Sequence, residues 1–354
     1  MSIHKNRKDE HVALAEQFYQ STVSGDFDSI RFIHHSFPET DFEDVKMNTS
    51  FAGLEFPFPF FINGMTGGSK KTQQINLDLA TVARETGLAM ASGSVSAGIK
   101  HPETSESYSI IRKTNPQGKI FANMGPEHPL ENYLKAVDLL QADALQIHVN
   151  VPQELLMPEG ERKFSHWLAN IQQTVEKVGV PVIVKEVGFG MSRETIRQLV
   201  QAGVHTIDVS GRGGTNFIQI ENSRRKKKDF SFAENWGQST PIALLEANSQ
   251  PEPLEILASG GIRTPFDIVK SLALGARAVG LSGQFLHLVV NEGVEKTIEE
   301  VTRWKENIRT MMTLLGAAEI AELQQTDIIL YEPLKTWCEA RHINWRTYAN
   351  RSNI

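Results

Sequence analysis

Among its 354 residues the sequence has one cysteine, Cys338. A lone thiol excludes an intrachain disulfide and any metal site built on several thiolates, and it agrees with a reducing compartment. No window supplies the ~18 uninterrupted apolar residues of a membrane helix. The most apolar stretch, 274–290, is broken by Arg277, Ser282, Gln284 and His287. The first ten residues are charged and lack the apolar centre of a secretory signal, so the expected location is the cytoplasm. An excess of positive charge is also missing. The 36 Lys and Arg against 42 Asp and Glu give a formal net charge of −6, which argues against nucleic acid as a partner, as the lack of a spanning helix does against a membrane. What is present, 40% hydrophobic and 22% charged residues, is enough for a large packed core and rules out disorder of the whole chain.

Short apolar runs closed by Gly, Ser, Thr or Asn begin near Phe60, Leu88, Lys119, Ala144, Pro181, Thr206, Glu255 and Arg277. Helical periodicity fills much of the space between them, at 73–86, 129–141, 162–178, 192–202 and 265–274. Alternation of strand and helix predicts a parallel sheet. Eight such units over roughly 230 residues suit closure into an α/β (β/α)8 TIM barrel. An open dinucleotide-binding sheet is the rival, weakened because no G-x-G-x-x-G follows the first run. The expected organisation is a single catalytic domain, 1–354. It comprises an N-terminal extension (1–55, with a helix near 10–20), the barrel (56–290) and C-terminal helices (291–354, the clearest at 294–315).

In such a barrel the chemistry lies just beyond the C-terminal end of each strand. Those positions are small and polar here: 63–68 after the first run, Ser92-Gly93-Ser94 after the second and Asn123-Met124-Gly125 after the third. His148, Asn150, Gln153 and Glu154 follow the fourth, Lys185-Glu186 closes the fifth, and 210–215 follows the sixth. Ser259-Gly260-Gly261 and Ser282-Gly283 end the last two, where barrels often bind phosphate on backbone amides and a helix N-terminus. A flavin ring would need hydrogen bonds at its edge, which Thr66, Ser94 and Asn123 can supply. It would also need a cation near N1, a role for Lys185, otherwise an unexplained mid-strand charge. Arg224 to Lys228 form a basic run that reads either as a solvated loop or as an arm over an anionic ligand.

Six ordered motifs carry a resemblance: Arg7-Lys8-Asp9-Glu10-His11, Asn63-Gly64-Met65-Thr66-Gly67-Gly68, Gln146-Ile147-His148-Val149-Asn150, Met157-Pro158-Glu159-Gly160, Val184-Lys185-Glu186-Val187-Gly188-Phe189-Gly190 and Gly213-Gly214-Thr215-Asn216-Phe217. Together they make the chain similar to the type 2 isopentenyl-diphosphate isomerases over nearly its whole length. The resemblance implies a barrel that interconverts isopentenyl and dimethylallyl diphosphate by an allylic proton shift with no net redox change. Its cofactors would be FMN, reduced during turnover by NADPH or another reductant, and Mg²⁺.

By the same resemblance FMN meets Met65, Thr66, Gly67, Ser94, Asn123, Lys185, Ser210, Thr215, Gly260, Gly261, Ser282 and Gly283. Substrate meets Arg7, Lys8, His148, Asn150 and Gln153, with Gln153 and His148 nearest the chemistry, and Glu154 holds Mg²⁺. A homo-oligomer, tetramer or octamer, is implied, with Arg7 and Lys8 expected to reach the site of a neighbouring subunit. One departure stands out. Relatives often carry Ser-Gln-Arg where this chain has Ser94-Val95-Ser96, so another cation, Lys100 or one of 224–228, is expected to serve the diphosphate. The rival activity on the same barrel is an FMN-dependent 2-hydroxy-acid oxidase, whose His base has no counterpart in Gly260-Gly261-Ile262-Arg263.

Overall fold

The computed structural model describes residues 3–20 and 25–352. Two small pieces frame the central sheet. Strand β1 (Ile30–Phe32) pairs antiparallel with a strand near the C-terminus, and β2 (Thr49–Phe51) forms a hairpin with β3 (Leu54–Phe56). Then come eight parallel strands: β4 (Phe60–Ile62), β5 (Met90–Ala91), β6 (Ile120–Met124), β7 (Ala144–Val149), β8 (Val182–Glu186), β9 (Thr206–Asp208), β10 (Glu255–Ser259) and β11 (Ala278–Leu281). They pair in chain order and close β11 onto β4, so the barrel and all eight expected strands are present. β12 (Ile328–Leu330) is the partner of β1.

The helices start where local chemistry starts them. The helix Lys70–Thr86 opens on a reciprocal Ser69/Thr72 capping box and stops at Gly87, whose φ of 69° suits the left-handed cap. Helix Pro265–Ala273 uses Thr264 and Asp267 in the same way, with proline at its first position. The helix Gly293–Leu314 lies across both of these and seals the barrel's outer core. Cys338, in the helix Leu334–Ala340, is fully buried, and burial pushes its thiol up to about 11.

Alternation along the strands divides the lumen into layers. The layer at the strand N-termini is apolar: Phe61, Phe121, Ala144, Ile183, Leu257 and Ala278 pack with Phe51 and Phe56 of the hairpin, which plugs that end. Phe51 and Phe56 stack at 4.1 Å, and Phe51 meets Phe61 and Phe121 at 6.0 and 6.1 Å. Glu255 fastens the plug by accepting from Ala52 N (2.6 Å) and Thr206 Oγ1 (2.7 Å). Above the aromatic layer the lumen turns polar, with Asn63, Gln146 and Asp208 all buried. Over that floor the C-terminal strand ends open into a cavity.

Candidate active site

The cavity, about 500 Å³, lies at the strand C-termini. Of the sequence-predicted residues, Arg7, Lys8, Met65, Thr66, Ser94, Asn123, His148, Gln153, Glu154, Lys185, Ser210, Thr215, Gly260, Gly261, Ser282 and Gly283 line it. Two do not. Gly67 packs behind the wall, where an added Cβ would lie 2.0 Å from the Tyr108 ring. Asn150 is the N-cap of the helix Val151–Leu156: its Oδ1 accepts from Gln153 N at 3.1 Å, and its Nδ2 donates to Gln153 Oε1 at 3.0 Å. Asn150 therefore caps the helix and fixes the Gln153 amide in place.

The N-terminal helix, Ile3–Gln17, brings Arg7 and Lys8 into the cavity of their own chain. It starts seven residues before the sequence-predicted 10–20 and is held along its length. Ser69 Oγ donates to Asp9 at 2.5 Å, Arg224 pairs with Glu10 at 3.0 Å, and His11 Nε2 sits 2.9 Å from Glu221 Oε1. Just past its end, Tyr19 stacks on His287 at 4.0 Å, and His287 Nδ1 is 3.0 Å from Glu16. Burial, with Arg7 beside it, pushes the Lys8 ammonium down to about 8.

Several electrostatic features were not visible in sequence. Glu221, fully buried, receives Gln153 Nε2 at 3.0 Å, His11 and Arg224. Burial is the largest influence and would raise its carboxyl, but His11, Gln153 and Arg224 together outweigh it and the net direction is down. Glu127 lies by the cavity with His128 Nε2 3.0 Å away, and against the pull of burial that histidine holds it down to about 2. His148 shares a 2.7 Å hydrogen bond with Asn123 Oδ1 and is pushed down to about 4, chiefly by burial, with Lys185 and Lys8 adding to the effect. It is therefore neutral near pH 7. Lys185 donates to Glu186 O at 2.8 Å. Burial raises Glu186 to about 8 even though the Phe189 and Val187 amides bond its carboxylate.

The basic run does not reach the cavity. Arg224 ends the helix Phe217–Arg224 and is consumed by Glu10, Glu159 and Glu221, while Arg225 pairs with Asp229 and lies 4.6 Å over Phe230. Lys226, Lys227 and Lys228 are exposed. Lys100 does line the cavity, at the end of the helix Ser96–Lys100, and forms no ion pair among the described residues.

The lining fits FMN in specific ways. Thr66 Oγ1 is buried in the wall with no hydrogen-bond partner among the described residues, so a ligand must satisfy it or its burial goes uncompensated. Ser282 heads the helix Gly283–Asn291 without spending its hydroxyl on the cap, which leaves hydroxyl and backbone amides for a phosphate. Gly260 has φ 88°, and a Cβ there would sit 2.0 Å from Gly211 O, so glycine is obligatory for the loop packing itself. A divalent cation has less protein to hold it. Among the described residues no three acidic, His or Cys side chains are arranged to hold a metal ion, and Glu154 spends only Oε2, on Glu161 N at 2.7 Å. One carboxylate plus ligand oxygens is the way Mg²⁺ commonly binds with phosphates.

Residues 150–330 match the FMN-dependent dehydrogenase family, which sets the class as an FMN-binding barrel enzyme. Solved structures agree on the fold: a flavocytochrome b2 with sulfite bound superposes with TM-score 0.63 at 23% identity, covering 94% of this chain and 84% of that one. A mandelate oxidase with 2-hydroxy-phenylacetamide gives 0.62 at 17%, covering 91% and 90%. Much nearer are two curated proteins named isopentenyl-diphosphate delta-isomerase. That of Staphylococcus haemolyticus (strain JCSC1435) is 50% identical over 96% of this chain and 97% of its own, and that of Latilactobacillus sakei subsp. sakei (strain 23K) 50% over 97% and 98%. The chain belongs to the isopentenyl-diphosphate delta-isomerase family.

Proposed function

We propose that this chain, as one catalytic domain, interconverts isopentenyl and dimethylallyl diphosphate. The observation that carries the reading is half-identity along the full chain to the named isomerases, joined to a cavity that pairs a flavin-suited wall with Arg7, Lys8 and Lys100. Three cations in one opening suit a diphosphate, each charge-assisted contact contributing roughly 1.5–3 kcal/mol. The 2-hydroxy-acid oxidase reading lacks its base, since Gly260, Gly261, Ile262 and Arg263 line the corresponding wall.

FMN would be held by Thr66, Ser94, Asn123, Lys185 and the Ser210, Thr215, Gly260 and Ser282 turns, and when reduced it supplies an acid–base group able to serve a carbon centre. Gln153 fixes the alkene: its amide is oriented from both sides, by Asn150 and by Glu221. His148, neutral, donates or accepts a hydrogen bond at the substrate without adding charge. Glu154 would take Mg²⁺, which joins the diphosphate to the protein. NADPH as reductant, a tetrameric or octameric assembly and a cytoplasmic location complete the reading. The test is turnover of isopentenyl diphosphate by the FMN-loaded protein with Mg²⁺, before and after reduction by NADPH. Activity only after reduction, with no oxidation of 2-hydroxy acids, is expected; oxidase turnover would overturn the reading.

A further inference from the structure

The proposed chemistry leaves one buried carboxylate in the lumen unused. Asp208 ends β9 with no exposed surface. Its Oδ2 accepts from Asn63 Nδ2 at 2.9 Å, Ser259 Oγ lies 2.8 and 2.9 Å from its two oxygens, and Ser210 N donates to Oδ1 at 3.1 Å. Asn63 Oδ1 in turn accepts from Gln146 Nε2 at 3.2 Å and from Gly64 N at 2.9 Å. Strands β4, β7, β9 and β10 thus meet at one anion, directly beneath the turns at Gly64, Ser210 and Gly260.

An anion buried this deeply persists only where donors and countercharge compensate it. The donors are Asn63 Nδ2, Ser259 Oγ and Ser210 N, and the countercharge is Lys185, its register partner on β8. The two form no direct ion pair; Lys185 Nζ donates to Glu186 O at 2.8 Å. The charged or titratable groups facing Lys185 are Asp208 from β9, Glu186 on its own strand and His148, its register partner on β7. Ser210 sits at φ 30°, a left-handed value unusual for serine. Its N–H is fixed by Asp208, and its carbonyl accepts from Gly188 N and Gly190 N, each at 3.0 Å.

We propose that Asp208 is a positioning residue for the flavin: it ties together the strand ends that bear Gly64, Ser210 and Gly260, and it supplies the buried negative charge opposite Lys185. The proposal rests on the reading that the cavity takes FMN. Burial lowers the Lys185 pKa and Asp208 is the main influence opposing it, so removing the carboxylate's charge releases the lysine proton at lower pH.

The experiment compares wild type, Asp208→Asn, Ser259→Ala and the double variant Asp208→Asn/Lys185→Met. It reads FMN dissociation constants on apoprotein and the flavin midpoint potential from pH 6 to 9. Asp208→Asn should weaken FMN about tenfold and bend the potential–pH line downward, as an uncharged Lys185 ceases to favour reduced flavin. A tenfold loss of that preference is ~30 mV for a two-electron couple. The double variant should lose the bend. Ser259→Ala, which keeps the charge, should weaken FMN several-fold with a line parallel to wild type, and it carries the test if Asp208→Asn does not fold. Asp208→Asn with wild-type affinity and a parallel line, or Ser259→Ala with unchanged affinity, would overturn the proposal. Wild-type protein that bound no FMN would overturn the flavin reading itself, and this proposal with it.

Discussion

Gln153 Nε2 donates to Glu221 Oε1 across 3.0 Å, joining the short helix after β7 to a helix 68 residues later in the chain. Because Asn150 holds the other end of the same amide, Gln153 has one orientation. Glu221→Gln should scramble it, since the new amide can donate where the carboxylate only accepted. The expected result is a fall in kcat of roughly ten- to a hundredfold, the worth of one hydrogen bond to a charged group, with FMN retained. A change confined to KM would show that Gln153 serves binding alone.

Lys8 should impose an alkaline limit. Its ammonium is lowered to about 8, first by burial and then by Arg7, so in the free enzyme it loses its charge as pH rises through that value. kcat/KM for isopentenyl diphosphate, which reports free-enzyme groups, should fall above pH 8. Lys8→Arg should hold the profile flat to about pH 9, because a guanidinium stays protonated. Superimposable profiles would acquit Lys8.

Glu154 has its carboxyl raised by burial despite the Glu161 amide that bonds it. A proton competes with a cation for a carboxylate, so the Mg²⁺ concentration for half-maximal rate should climb as pH falls. Glu154→Gln should raise that requirement at every pH and leave FMN affinity alone. A metal titration unmoved by the substitution would place Mg²⁺ elsewhere.

The exposed lysines at 226–228 should be dispensable. Changing all three to alanine is expected to alter KM by less than about twofold, since surface charges away from a site are weakly coupled to it. A larger rise in KM would return the run to the substrate.

Glu246 is the main anchor of the C-terminal helices. Its buried carboxylate accepts from Trp337 Nε1 (2.8 Å), Arg341 Nε (2.8 Å) and Arg193 N (3.0 Å). Glu246→Gln should cost about 3 kcal/mol in denaturant unfolding. Burial pushes this carboxyl up but its partners outweigh it and the net direction is down. The stabilisation is therefore complete above the unfolded value and disappears as pH falls through the lower folded one. Urea midpoints at pH 7 and pH 3 check both statements; the variant's deficit should shrink in acid.

The barrel could be read from sequence because eight apolar runs, each ending in small polar residues, repeat a local signal. The β1–β12 pair could not. Three-residue strands 298 positions apart, Ile30 opposite Leu330 at their ends, offer no periodicity and meet only in the fold. The first turns of the N-terminal helix are not legible because Lys5 to Asp9 carry no apolar repeat, although Arg7 and Lys8 there line the cavity. Asn150 shows a different limit: its capping of the helix Val151–Leu156 and its grip on Gln153 depend on local backbone geometry that residue type alone does not reveal. Glu221 and Asp208 give no signal in sequence, because an isolated carboxylate acquires meaning only from donors on other strands and helices.

The burial of Cys338 makes the protein silent to thiol reagents while folded, since a sulfhydryl both enclosed and shifted up to about 11 presents neither surface nor thiolate at neutral pH. A cysteine introduced at Lys226 would therefore be the only labelling point on the native chain. Unmasking of Cys338 itself gives an optical clock for unfolding, readable with a coloured disulfide reagent and no engineered change at all.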